Sequence, residues 1–184
     1  MLKVLTGNHH EVHHALVEAC KRGDRKAQHK IYKLYARAMF NVCMRITNHG
    51  AEAEDILQDA FLDAFRKINT FKGESTFGAW LKRIVINRSI NHLRKRKWEL
   101  ISVDTLDFED DKPDRDEEDL HLQLDKVHQA IQLLPDGFRM VLSLYLLEGY
   151  DHKEIAEILG ITESTSKSQY NRAKKKLVKM LKTT

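Results

Sequence analysis

An acidic segment near the middle of the chain separates two parts with helical periodicity. From Asp104 to Asp119 the sequence holds ten acidic residues, two basic residues and one proline. A segment of this composition has too little apolar surface to fold by itself, so we predict a linker over residues 99–119. On either side, apolar residues recur at helical spacing. Because the whole sequence has only eight glycines and two prolines, we predict an all-α fold with two small helical domains.

The predicted domains flank this linker. Residues 1–10 show no periodicity and are predicted to be a flexible lead. The first domain is predicted over residues 11–98 and the second over residues 120–184. Cys20 and Cys43 are the only cysteines, too few for a disulfide framework and without the spacing of a zinc site. No signal peptide and no membrane-spanning apolar run is evident, so we expect a cytoplasmic protein without membrane insertion.

Basic residues are concentrated in two blocks. Although the net charge is only +4, the segment Lys82–Lys97 holds seven basic residues, and Glu163–Lys182 holds seven more with one acid. Blocks of one sign create local fields that attract ligands of the other sign. We therefore predict two cationic surfaces, one in each domain.

The C-terminal block follows the pattern of a helix-turn-helix. Asp151 and Glu154 have the spacing of a capping box, Gly160 suits the end of a helix, and Thr162 can cap the next helix. Ser166 lies on the apolar stripe of that second helix, where its hydroxyl could bond to the carbonyl four residues earlier. The opposite face predicts contacts to DNA bases from Ser164, Lys167, Ser168 and Asn171, and to phosphates from Arg172, Lys175 and Lys176. An amphipathic terminal helix with a solvated basic face is the alternative.

The upstream block predicts a second reading helix, from Phe77 to about Lys97. A polar stripe on this helix suits hydrogen bonds to bases together with phosphate neutralisation; it contains Arg83, Asn87, Asn91 and Arg94. The preceding loop mixes aromatic and polar residues that could hold an unstacked base, namely Asn69, Phe71, Lys72 and Ser75. Phe71 and Phe77 could instead be core residues.

Three segments in order carry a family resemblance: "AEDILQDAFLDAFRKI", "STFGAWLKRIVINRSINHLRKRK" and the stretch from "LPDGFRMVL" to "NRAKKKL". Together they resemble a bacterial RNA polymerase sigma factor of the extracytoplasmic-function (ECF) group, over residues 14–97 and 121–180. The sequence departs from the usual family pattern at Ile86, Asn91 and Ser166. The resemblance implies a sigma-2 domain for the −10 element and a sigma-4 domain for the −35 element.

The resemblance also implies partners and positions. Core RNA polymerase, promoter DNA and an anti-sigma factor are the expected partners. Asp55, Gln58 and Asp59 match the contact with the polymerase clamp helices. Asn87, Asn91 and Arg94 match the −10 recognition helix, and the Asn69–Phe77 loop matches the one that captures a flipped base. The −35 contacts match Lys167, Ser168, Asn171 and Arg172.

Two other hypotheses compete with this interpretation. A stand-alone helix-turn-helix regulator would use its N-terminal lobe to sense a ligand or to dimerise. A histidine cluster, with i, i+4 pairs His9/His13 and His10/His14, could hold a metal, but a polar first turn is the better explanation and we predict no metal site. We expect no enzymatic activity and no cofactor, because no nucleophile, base and oxyanion site are grouped in the sequence.

Overall fold

A computed structural model describes the backbone of residues 13–95 and 120–183, and the side chains of residues 13–95 and 126–182. The secondary structure of these residues is helical, with no strand, which confirms the predicted fold class. Contacts divide the chain into two compact units after Leu93. The predicted lead and linker, residues 1–10 and 99–119, lie outside the described residues.

Four α-helices are described in each unit, and the last of the first unit extends two residues beyond the division. The first unit has α1 (residues 13–21), α2 (Arg25–Thr47), α3 (Gly50–Arg66), a short 3₁₀ turn (Ile68–Thr70) and α4 (Phe77–Lys95). The second unit has α5 (Leu120–Gln132), α6 (Asp136–Leu146), α7 (His152–Leu159) and α8 (Glu163–Thr183).

Helix caps determine where the helices of the first unit begin and end. The Asp24 carboxylate accepts hydrogen bonds from the backbone N–H groups of Lys26 (2.8 Å) and Ala27 (3.3 Å), and so starts α2 as predicted. Asn48 ends α2 in the left-handed conformation, with φ of 56°. Helix α3 starts at Gly50, because the His49 side chain accepts a hydrogen bond from the Glu52 N–H and caps the helix.

Apolar side chains from α2, α3 and α4 form the core of the first unit. Helix α2 packs along α3. The fully or nearly fully buried residues include Ile31, Val42 and Ile46 of α2, Ala53, Ala60 and Ala64 of α3, and Leu81, Val85, Ile86, Ile90 and Leu93 of α4. Because these residues occupy one side of each helix, the charged residues of the same helices lie on the other side.

In the second unit, α8 packs against α5, α6 and α7. Its core contains Ala130, Ile131, Leu134, Leu142, Ala173 and Leu177. The buried guanidinium of Arg139 donates to the Leu134 carbonyl at 2.9 Å and pairs with Asp136, which fixes the turn between α5 and α6. The Leu134 carbonyl and the Asp136 carboxylate thereby have a hydrogen-bond donor within the protein.

The backbone conformation sets both ends of α6. Pro135 is the N-cap of α6 rather than its first residue, because its ψ of 146° is extended. Helix α6 ends at Leu146. Gly149 has a φ of 80°, which turns the chain so that the Tyr150 N–H donates to the Leu144 carbonyl.

Candidate partner and nucleic-acid interfaces

The outer side of α3 is polar and exposed. Ile56, Leu57, Ala60 and Phe61 are buried, and this register leaves Asp55, Gln58 and Asp59 exposed on the other side. We call these three residues the α3 face. Asp59 lies 3.7 Å from the Arg88 guanidinium, which also pairs closely with the less exposed Asp63. Asp55 and Gln58 therefore present the more available polar groups of this face.

A groove of about 360 Å³ lies beside the α3 face, between α2 and α3. Its lining combines aromatic, aliphatic and charged groups, from Tyr32, Ala36, Arg37, Phe40, Glu54, Leu57 and Gln58. Sequence reasoning missed the contribution of α2 to this groove. The available signal in the sequence was Tyr32, a large aromatic residue that directly follows Ile31 and so lies off the apolar stripe of α2; its side chain is 37% exposed.

The loop before α4 is built on an aromatic cluster. The Phe71 ring contacts the rings of Phe77 and Trp80, with centroids 5.6 and 5.5 Å apart, and Phe77 also contacts Tyr35. The Thr76 hydroxyl accepts a hydrogen bond from the Ala79 N–H and caps α4. Phe77 is buried, so its interpretation as a core residue is correct, whereas Phe71 is half-buried. A partly open ring on an aromatic base is suited to stacking with a planar group.

The polar residues predicted for this loop lie on both sides of Phe71 in the sequence. Asn69, Lys72 and Ser75 are all exposed. Gly73 has a φ of 79°, a conformation that favours glycine and lets the loop turn between Lys72 and Ser75. The loop therefore offers exposed donors and acceptors next to a half-buried aromatic ring.

Helix α4 carries the predicted polar stripe on its exposed side. Arg83, Asn87, Asn91 and Arg94 are all exposed. The stripe spans 11 residues, which corresponds to about 16 Å along a helix. Asparagine amides between two guanidinium groups can bond to base edges while the arginines neutralise phosphates.

The helix-turn-helix of the second unit has the predicted caps. Asp151 and Glu154 form a reciprocal capping box with hydrogen bonds of 2.8 and 2.9 Å. Gly160 ends α7 with a φ of 65°, and the Thr162 hydroxyl accepts from the Thr165 N–H at the start of α8. Local sequence thus determines the turn that orients α8 relative to α7.

The predicted DNA-contacting residues lie together on α8. Ser164, Lys167, Asn171, Arg172 and Lys175 are exposed, and Ser168 and Lys176 are partly exposed. Two of these residues already have partners. The Lys167 ammonium lies 2.6 Å from the Glu163 carboxylate, a hydrogen bond that lowers the pKa of Glu163. The Ser168 hydroxyl donates to the Thr165 carbonyl.

The hydroxyl of Ser166 differs from our expectation. Ser166 is fully buried, as its place on the apolar stripe predicts, but its Oγ lies 3.0 Å from His152 Nδ1 rather than bonding to the carbonyl four residues earlier. The His152 ring stacks on Tyr145 at a centroid distance of 4.6 Å and contacts Tyr170. These contacts join α6, α7 and α8 near the N-terminal end of α8. Sequence reasoning missed them because the partners come from three helices.

The histidine cluster lies only partly in the described chain. His9 and His10 are outside it, while His13 Nδ1 lies 2.7 Å from the Tyr35 hydroxyl and His14 is exposed. Among the described residues, no group of three or more histidine, cysteine or acidic side chains could hold a metal ion. Over the same residues, no helix combines the length and apolar character needed to span a bilayer.

Comparison with known proteins identifies the family. Residues 31–99 match Sigma-70 region 2 and residues 124–177 match Sigma-70 region 4. The RNA polymerase sigma-H factor of Pseudomonas aeruginosa is 33% identical over 177 residues, which cover 90% of this chain and 92% of that protein. The ECF RNA polymerase sigma-E factor of Escherichia coli K12 is 30% identical, with 86% and 88% covered.

A solved structure agrees with these sequence relatives. The sigma factor RpoE from Bartonella quintana, crystallised with the anti-sigma factor NepR, is 27% identical with a TM-score of 0.57, and the alignment covers 83% of this chain and 95% of that one. CnrH, in complex with the cytosolic domain of CnrY, shares the fold at 21% identity and a TM-score of 0.56. This chain belongs to the ECF group of RNA polymerase sigma factors.

Proposed function

We propose that this chain binds core RNA polymerase, brings it to specific promoters and promotes strand separation at the −10 element. One observation carries the proposal: each unit presents an exposed helix face rich in arginine, lysine and asparagine, on α4 and on α8. Two readers in two units suit a bipartite DNA site. The relatives named above, which are RNA polymerase sigma factors, support the same role.

Each surface has a proposed part in this function. The α3 face binds the polymerase, with Asp55, Gln58 and Asp59 as contacts. The −10 element is read by α4 and the preceding loop, through Asn69, Phe71, Lys72, Ser75, Arg83, Asn87, Asn91 and Arg94. The −35 element is read by α8, through Ser164, Lys167, Ser168, Asn171, Arg172, Lys175 and Lys176. The domain boundaries are proposed at residues 11–98 and 120–184, joined by the acidic linker.

Strand separation in this proposal needs no catalytic group in the chain. Binding energy captures the unstacked base in the Phe71 loop, and stacking on an aromatic ring contributes about 1–3 kcal/mol per base. The phosphodiester chemistry belongs to the polymerase, so the chain is proposed to be a non-enzymatic, cytoplasmic factor without a cofactor. Because RpoE of Bartonella quintana is found with the anti-sigma factor NepR, we also propose an anti-sigma factor as a partner.

A matched pair of charge reversals tests the proposal. Asp55→Lys changes the α3 face, and Glu157→Lys makes the same change at an exposed position of α7. Surface substitutions of this kind usually alter stability by less than about 0.5 kcal/mol. We expect Asp55→Lys to abolish polymerase binding, measured by co-purification with core enzyme and by run-off transcription, while Glu157→Lys retains both.

The stand-alone regulator gives the opposite results. If Asp55→Lys transcribes as well as the parent chain, the α3 face is not the docking surface. If the isolated chain protects one promoter sequence tightly from nuclease cleavage and the addition of core polymerase changes nothing, the protein acts as a repressor-like regulator and the proposed function is wrong.

A further inference from the structure

Helix α2 has a basic face that the proposed function does not use. Lys26, Lys30, Lys33 and Arg37 follow one another at i, i+4, i+7 and i+11, so they share one side of the helix, with His29 among them. All of these side chains are exposed, whereas Ala27, Ile31 and Val42 of the same helix are buried. We call the four lysine and arginine residues the basic face of α2. It extends over about 16 Å.

The basic face lacks the acidic residues that are interspersed with basic ones on an ordinary solvated surface. From Arg25 to Ala51 the sequence has six lysine and arginine residues and no acid, while Glu52 to Asp63 holds five acids and no base. None of the four side chains of the basic face forms an ion pair with another described residue. The Asp24 carboxylate, at the start of the helix, caps backbone N–H groups.

Like charges three or four residues apart on a helix repel one another and destabilise it. The basic face contains three such neighbouring pairs: Lys26/Lys30, Lys30/Lys33 and Lys33/Arg37. Because mixed charges would remove this cost, a surface that only has to be hydrated does not need the pattern. An anionic ligand would convert the repulsion into attraction.

The composition of the face favours a nucleic acid over an acidic protein. Protein interfaces centre on buried aromatic or apolar anchors surrounded by polar groups. All four positions of the basic face are charged, and the exposed Leu34 lies beside them rather than being one of them. Lysine ammonium groups bind phosphate oxygens as point charges, and arginine binds them with two parallel hydrogen bonds. Duplex DNA presents one phosphate per strand for every 3.4 Å or so of its axis. A basic face of about 16 Å can therefore contact several phosphates.

We propose that the basic face of α2 binds the phosphate backbone of DNA without sequence preference. It forms a third cationic surface, on a different helix from the two readers α4 and α8. This contact does not depend on core polymerase, so it can be tested on the full-length chain alone.

The test measures binding of the full-length chain to a fluorescent 30-bp duplex that lacks promoter elements, over a series of salt concentrations. The variant Lys30→Gln/Lys33→Gln removes two charges from the centre of the face. Its control, Arg66→Gln/Lys67→Gln, removes two exposed charges at the end of α3. If both lysines meet phosphates, the slope of log K against log salt becomes shallower by about 1.8, and affinity at 0.1 M salt falls roughly 60-fold.

The control and a second anion make every outcome informative. For Arg66→Gln/Lys67→Gln we expect a slope of log K against log salt that differs from that of the parent chain by less than about 0.5. Equal losses in both variants would show only an effect of net charge and overturn the proposal. A Lys30→Gln/Lys33→Gln chain that binds the duplex like the parent would also overturn it. In that case, selective loss of binding to polyglutamate would assign the face to an acidic protein instead. Amide hydrogen exchange in α2 checks that both variants remain folded.

Discussion

The two reading helices present similar groups to solvent but are held in place by different forces. Helix α4 buries large aliphatic side chains, with Leu81, Val85 and Ile86 completely inaccessible. On α8 three of the four buried positions are small or polar: Ser166 and Ala173 are inaccessible, Gln169 is 3% exposed, and Leu177 is the aliphatic exception. Among the described residues, the buried Gln169 Oε1 has no hydrogen-bond partner.

This difference indicates which interactions hold α4 and α8 in their orientations. Burying one aliphatic side chain contributes about 1.5–3 kcal/mol, so α4 is fixed by its apolar side. A hydrogen bond such as that between Ser166 and His152 contributes about 0.5–1.5 kcal/mol. The orientation of α8 therefore depends on hydrogen-bond geometry, helix caps and the Tyr145–His152 stack, and we expect α8 to be the more easily adjusted reader.

The largest effect is expected from a cavity in the apolar side of α4. Ile86→Ala should destabilise the first unit by about 2–5 kcal/mol, because Ile86 is fully enclosed. Amide hydrogen exchange of α4 peptides, followed by mass spectrometry, measures this loss locally. Leu177→Ala, at the 8% exposed end of the α8 stripe, should cost less in α8 peptides. A larger loss in α8 would contradict the comparison.

The second-largest effect is expected at alkaline pH, where the stability of the first unit should fall because of its two cysteines. Burial raises the pKa of the Cys20 and Cys43 thiols from about 9 to about 11, and neither cysteine lies in the second unit. A raised pKa favours the neutral thiol in the folded state, so this stability is complete below pH 9 and is lost as the pH rises to 11. The expected loss is on the order of 1–3 kcal/mol per thiol.

Hydrogen exchange at pH 9 to 11, corrected for the intrinsic pH dependence, measures this loss. A Cys20→Ala/Cys43→Ala chain provides the control, because lysine and tyrosine also titrate in this range. The difference between the two chains should grow with pH in the first unit and stay constant in the second. A constant difference in both units would show that the thiols ionise equally in the folded and unfolded states.

Base reading by α8 should have an intermediate effect. Asn171→Ala should cost about 1–3 kcal/mol on the preferred −35 sequence and little on a scrambled one. Lys176→Ala should weaken both sequences equally and reduce the salt slope by about one counterion. Holoenzyme affinity, measured on both sequences at several salt concentrations, distinguishes the two roles. Equal losses on both DNAs for Asn171→Ala would mean that α8 is wrongly placed in the groove.

The smallest effect compares two buried serines. Ser166→Ala removes the hydrogen bond to His152 and should cost about 1 kcal/mol in the exchange of α8 amides. Ser89→Ala is the matched change on α4, where the hydroxyl donates to the Val85 carbonyl of its own helix and also contacts the Cys43 thiol. Both substitutions gain the helix propensity of alanine. We expect Ser89→Ala to cost less, because it leaves the Val85 carbonyl with the backbone hydrogen bond of the helix, whereas Ser166→Ala removes the Ser166 hydroxyl from the ring nitrogen of His152. The reverse order would show that the His152 contact does not hold α8.

Contacts between residues that are close in the sequence could be predicted, and contacts between residues that are far apart in the sequence could not. Asp151 and Glu154 lie three residues apart, and Gly160 acts through its own backbone, so the start and end of α7 could be read directly. The exposed positions of Asn87 and Asn91 follow from helical spacing. By contrast, His152, Ser166 and Tyr145 meet across three helices, and the groove between α2 and α3 requires the packing of both. Spacing within one helix carries no information about such contacts.

Trp80 gives the aromatic cluster an optical signal. The sequence has two tryptophans, Trp80 and Trp98, so Trp98→Phe leaves a single indole, half-buried against Phe71 and Phe77. The emission of an indole responds to the rings and the water around it. Capture of a base by the Phe71 loop would alter both, so the fluorescence of this one side chain can report the binding of a single-stranded −10 oligonucleotide to the chain without a label on the DNA.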